Sequence, residues 1–140
     1  MEPLSEHDYK PDFEISDRYV NFSSELLRLS LLAITGLGAL IFFSFGNDHG
    51  FSLRSIDKGW ILITLILFAL TSGGCLVHRF YASDALSYHM KFLRKREEIE
   101  RQGRNSCLKR ANIALIVTEY LFGGSVFSLV ITLIVLLRVH

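Results

Sequence analysis

Three apolar stretches, each long enough to cross a lipid bilayer, constrain this 140-residue chain more than any other feature. A helix needs roughly 20 apolar residues to span about 30 Å of hydrocarbon. The stretches read Leu29 to Phe45, Trp60 to Val77 and Ala111 to Leu137. With 50% hydrophobic residues the chain is too apolar for an ordinary soluble domain, and a bilayer accommodates the excess. The N-terminus carries Glu2, Glu6, Asp8, Asp12, Glu14 and Asp17, the opposite of a basic signal-peptide lead, and no small-residue cleavage site follows the first stretch. The first stretch is therefore expected to remain as a transmembrane helix.

The expected organisation is an acidic cytoplasmic segment over 1–25, a first span over 26–45, an outer loop over 46–59, a second span over 60–78, a cytoplasmic helical hairpin over 79–119 and a third span over 120–138. Arg28 sits where its stem can snorkel to the headgroups, and Trp60 and Tyr120 fit interfacial anchors. Asn47, Asp48, His49 and Gly50 supply turn chemistry between the first two spans. Basic residues fix the orientation: only Arg54, Lys58 and Arg138 fall on one side, and the other twelve lie on the opposite side. The positive-inside rule places the N-terminus and His78 to Arg110 in the cytoplasm, and the C-terminus outside the cell (inner) membrane.

Between the second and third spans, Tyr81, Ala82, Ala85, Leu86, Phe92 and Leu93 recur at three- and four-residue steps, with His89 on the same face. This stripe predicts that the second span continues as a helix beyond the membrane. Arg94 with Glu98, Arg96 with Glu100, Glu97 with Arg101 and Glu100 with Arg104 are spaced as four-residue pairs on a solvated helix. Gly103 and Asn105 then predict the turn, with Leu108, Ala111 and Leu115 on the returning arm. The arms are unequal, since Arg79 to Gln102 would reach about 36 Å and Asn105 to Glu119 would return about 22 Å. Either the hairpin tilts and unwinds at its tip, or the stripe lies on the bilayer surface. The hairpin is preferred because a surface helix would leave the apolar arm from Ala111 to Thr118 without a partner.

Glu119 opens the last span, with Asn112 seven residues before it and Gly123 four after it on one face. Two readings stand: a residue of an ion pathway, or an interfacial carboxylate beside Tyr120 paired with Arg28 or Arg79. Gly36, Ala69, Gly73, Gly123 and Gly124 allow close helix approach, and their number points to a homo-oligomer. Met1 to Glu25 carries a net charge of about −5 and His78 to Arg110 about +5, so the two segments should attract. Lys91, Arg94, Lys95, Arg96, Arg101, Arg104, Lys109 and Arg110 are candidates to hold anionic lipid, a phosphate-bearing ligand or the acidic N-terminus. Positive-inside topology with solvated salt pairs accounts for the same residues.

Catalytic signals are missing. His78 and His89 share a helical face but are too far apart in rise to share a metal, and no HExxH, GxSxG, P-loop or CxxC pattern occurs. Cys75 and Cys107 are expected to be free thiols. The chain is therefore expected to be no enzyme and to need no cofactor, metal or double-stranded nucleic acid.

Two close spans, Leu29 to Phe45 and Trp60 to Val77, with the second running into the charged helix from Arg79 to Arg101, resemble SLATT-type and related small bacterial membrane effectors of nucleotide-signalling phage defence. The third span departs from their two-span pattern. The resemblance implies an oligomeric channel or membrane-disrupting effector gated from the cytoplasm. The expected protein is thus an all-α, homo-oligomeric integral membrane channel, closed until a cytoplasmic protein or an anionic or nucleotide ligand binds. A non-conducting scaffold that recruits a cytoplasmic partner is the alternative.

Overall fold

The computed structural model describes residues 6–46, 55–95 and 97–138, with the side chains of residues 10, 13–42, 59–93 and 97–135. These form three helices of 41 residues each: α1 (Glu6–Gly46), α2 (Ser55–Lys95) and α3 (Glu98–Arg138). Each is ~61 Å long, about twice the thickness of the hydrocarbon. All three hold a stretch long and apolar enough to cross a membrane, within Phe13–Phe42, Gly59–Leu93 and Glu98–Val135. The fold is all-α and the chain reads as a multi-pass membrane protein.

The distribution of side chains agrees with a lipid surrounding. Leu32, Phe42, Leu62 and Phe127 are exposed, whereas Ser30, Thr64, Thr71, Ser125 and Thr132 are buried. Water would select the reverse, and hydrocarbon would not.

α2 and α3 form an antiparallel hairpin over their whole length. The buried residues of α2 are Ile61, Thr64, Phe68, Thr71, Cys75, His78, Ala82, Ala85 and His89. They alternate three- and four-residue steps, the seam spacing of a left-handed coiled coil. Ala111, Leu115, Thr118, Ser125, Ser128 and Thr132 answer from α3. Thr64 Oγ1 lies 2.7 Å from Ser128 Oγ and 3.0 Å from Thr132 Oγ1, and Thr71 Oγ1 lies 3.2 Å from Ser125 Oγ. The Thr64 hydroxyl donates to the Trp60 carbonyl and that of Thr132 to the Ser128 carbonyl, which leaves Ser128 as the donor to Thr64. Phe122 packs edge-on against Phe68 at 6.3 Å between ring centres.

The turn differs from the sequence expectation. α2 ends at Lys95 and α3 begins at Glu98, so Gly103 and Asn105 lie inside α3 rather than in a turn. The Glu97 carbonyl accepts the Arg101 amide at 3.4 Å, as the residue before a helix does. The charge pattern accounts for the break: Glu98 and Glu100 occupy the positive first turn of α3, and basic Arg94 and Lys95 end α2. Gly103 is needed for packing instead, because an added Cβ would come within 2.9 Å of the Tyr88 ring. With α2 ending at Lys95 and α3 starting at Glu98, the outgoing arm from Arg79 covers about 24 Å and the return to Glu119 about 32 Å, so the expected inequality of the arms is reversed. The stripe bears its apolar face on α3, not outward, since Ala82, Ala85 and His89 are buried in the seam.

α1 lies antiparallel along α2 and touches α3 only marginally. Its buried residues Ser23, Leu26, Ser30 and Leu37 repeat the same spacing against α2. The first half of α1 therefore runs beside the part of the hairpin nearest the turn, where Phe13 stacks at 5.9 Å and 53° on His89. Of the acidic residues behind the expected charge attraction, Glu14, Asp17 and Glu25 are exposed, and the side chains of Glu2, Glu6, Asp8 and Asp12 lie outside the described residues, as do residues 47–54.

Candidate ligand pocket between the three helices

Because α1 and α3 scarcely meet, they leave a cavity of about 420 Å³ above the face of α2 that both flank. That volume is in the range of small-molecule sites. Ser16 and Tyr19 reach it from α1, His78 and His89 from α2, and Arg104 and Asn112 from α3. The remaining walls are aliphatic, with Ile15, Leu86, Leu108 and Leu115 among them.

The polar groups are held by the hairpin register. Arg104 Nη1 donates to His89 Nδ1 at 2.9 Å across the seam. A guanidinium cannot accept, so Nδ1 is the bare nitrogen and the His89 proton sits on Nε2. The Arg104 guanidinium also lies over the Phe92 ring, 5.8 Å from its centre. Arg104 Nε and His78 Nδ1 are buried without a hydrogen-bond partner. Such groups cost on the order of 1–3 kcal/mol each when left unsatisfied.

The basic candidates separate into different environments. Arg104 alone among them lines the cavity. Lys91 Nζ lies 5.4 Å from the centre of the Tyr88 ring, and the Arg110 guanidinium 5.7 Å from that of Tyr81. Arg101 pairs with Glu98 at 3.5 Å on the exposed surface, where ion pairs contribute little. Lys109 is exposed, and the side chains of Arg94, Lys95 and Arg96 lie outside the described residues. The expected Glu100–Arg104 pair is replaced by the inward turn of Arg104 to His89.

Glu119 is exposed on α3, Gly123 is exposed with it, and Asn112, also exposed, lines the cavity. Among the described residues no ion pair joins Glu119 to Arg28 or Arg79. Gly36, Gly73, Gly123 and Gly124 have nothing within 4 Å of an added Cβ, and Ala69 is exposed. None of these five packs a helix of the same chain. The close approach within the hairpin falls on Gly74 instead, against Thr118. Cys75 and Cys107 are free thiols, the first buried and the second half-buried. Among the described residues no group of His, Cys, Asp or Glu has the arrangement to hold a metal.

The chain matches no family model, and no curated protein or solved structure matches it. The two histidines were missed as site residues because they were weighed only against each other as metal ligands. Their shared signal is seam spacing: His78 and His89 continue the steps that run from Ile61 through Ala85.

Proposed function

We propose that this protein is a homo-oligomeric membrane channel or pore-forming effector, gated from the cytoplasmic side by an anionic ligand or a partner. The observation that carries this reading is the exposure of Glu119 on α3, in helical register with the exposed Asn112 and Gly123. An unpaired carboxylate beside a span is costly against lipid and cheap against water or a second copy of the chain. Copies that meet through Gly36, Gly73, Gly123 and Gly124, all of which have open space around them, would set Glu119 at the mouth of a shared path. The halves of the helices nearest the 96–97 turn lie in the cytoplasm on this reading, with the basic hairpin inside by the positive-inside rule. The resemblance to small phage-defence effectors agrees in kind.

Reconstitution tests it. Oligomers in detergent together with ion flux in liposomes are expected, including from a variant lacking residues 1–14. A monomer that passes no ions in either form sinks the proposal. A non-conducting scaffold is the second reading, favoured by the exposure of Ile99 and Lys109 on the hairpin. Its signature is a co-purified partner, lost on charge reversal at Arg94, Lys95 and Arg96, with no flux.

A further inference from the structure

We infer that the cavity between the three helices is a binding site for a small organic anion, a carboxylate or phosphate carried on an aliphatic chain. The inference deepens the gating reading by locating its ligand, but binding can be read whether or not the protein conducts.

Charge comes first. Arg104 is a permanent cation whose Nε is buried without a hydrogen-bond partner, and among the described residues no carboxylate lines the cavity. Its contacts are His89 Nδ1, the Asn105 side-chain oxygen at 3.5 Å and the Phe92 ring, and none of these is an anion. A half-buried cation in this setting lowers its free energy by taking an anion from outside. His78 Nδ1 is a second buried polar atom without a partner, at the opposite end of the cavity.

Shape and lining define the rest of the ligand. His78 and His89 lie eleven residues apart on α2, which makes the cavity roughly 16 Å long and parallel to the helices. Between them the walls on α2 and α3 are mostly aliphatic, Ala82, Ala85, Leu108 and Ala111, with Tyr19 as the one aromatic ring that α1 contributes among the described residues. A narrow aliphatic trough with a cation at one end suits an extended acyl chain whose head reaches Arg104. Tyr19 and Leu108 are both about half exposed and mark the open side, between α1 and α3. The same chemistry is offered by a free fatty acid and by the chain of an anionic lipid.

Full-length protein in nanodiscs of phosphatidylcholine, irradiated with diazirine-tagged dodecanoic acid and mapped by peptide mass spectrometry, tests this. Adducts are expected on Leu86, Leu108 or Tyr19, removed by excess dodecanoate and at least tenfold less sensitive to dodecanol. Arg104→Gln should cut labelling at least tenfold, whereas Arg101→Gln, on the exposed surface of the same helix, should leave it unchanged. Leu108→Trp, which fills the trough from its exposed side without touching the charge, should abolish labelling and guards against a misfolded Arg104 variant. A parallel sample with diazirine-tagged phosphatidic acid separates the sources, since labelling by either probe supports the site and the stronger one names the donor. Labelling by neither, or labelling that dodecanol removes as well as dodecanoate, overturns the inference. Flux without labelling removes this site and leaves the channel reading; labelling without flux does the reverse.

Discussion

Thr118 stands directly against Gly74 across the α2–α3 seam, leaving no room for a Cβ on the glycine. The threonine cannot retreat cheaply, because its buried hydroxyl donates to the Ala114 carbonyl at 2.7 Å. Gly74→Val should therefore destabilise the hairpin by about 1–3 kcal/mol. Its neighbour is the control: Gly73 has open space around it, and Gly73→Val should stay within about 0.5 kcal/mol. Unfolding of the detergent-solubilised protein by graded denaturant compares the two, and equal losses would contradict the register.

Thr64 joins two hydroxyls of the facing helix. Thr64→Val keeps the shape and removes the cross-helix bond that the Ser128 hydroxyl donates. Bonds of this kind in membrane bundles contribute about 0.6 kcal/mol on average and up to about 1.7, so a loss of about 0.6 kcal/mol is expected. In a double-mutant cycle with Ser128→Ala, the coupling energy should match the loss from either single change. Strict additivity would count against the pair.

The position of the turn is open to insertion. Two residues added between Arg96 and Glu97 lengthen a loop, at a cost below about 1 kcal/mol. The same two residues added after Gly103 rotate the rest of α3 by roughly 200° relative to its start, which turns half of the seam outward. Expression and thermal unfolding should separate the two insertions clearly. If the second is tolerated as well as the first, the turn lies near Gly103 after all.

Glu119→Gln addresses the proposed path. Since Glu119 touches no partner within the chain, the variant should fold with unchanged stability. Cation-over-anion preference in liposome flux should fall, because the carboxylate at the mouth attracts cations. Unchanged selectivity and conductance would take Glu119 out of the path.

Thiol accessibility offers a simple check on the core. Cys107 is half-buried and should react with a water-soluble maleimide in the native protein, while fully buried Cys75 should react only after unfolding. Early modification of Cys75 would place α2 in a different rotation.

The three helices and the apolar face of 81–93 were legible in the sequence because both rest on hydropathy at helical spacing, and Ala82, Ala85 and His89 do bury as that spacing implies. The turn was misplaced for a specific reason. Arg94 through Glu100 suits two descriptions, a continuous helix with four-residue salt pairs or one helix ending in bases and the next beginning in acids, and the nearby Gly103 favoured the first. The seam of Thr64, Thr71, Thr118, Ser125 and Thr132 escaped because a search for apolar stripes passes over hydroxyls, although these five lie at seven-residue intervals within each helix. In a membrane the hydroxyl can turn back on its own helix, as Thr71 does on the Leu67 carbonyl at 2.9 Å, and so enter a dry interface at little cost. The cavity was not legible at all, since it arises from α1 leaning on α2 while missing α3, a matter of three-body packing that no single periodicity encodes.

That uneven packing gives the molecule a stiff part and a compliant part. α2 and α3 are riveted by hydroxyl bonds and a close glycine contact from Thr64 to His89, so they should move as one beam. α1 is fastened to that beam along one edge only. Mechanically it behaves as a flap with its hinge line on α2, and the cheapest deformation of the whole molecule is to swing α1 away from α3. Any molecule wedged into the trough pushes on that flap before it can strain the beam. The work of entry is thereby converted into displacement of a helix about 60 Å long, which reaches from the trough to the far end of the molecule.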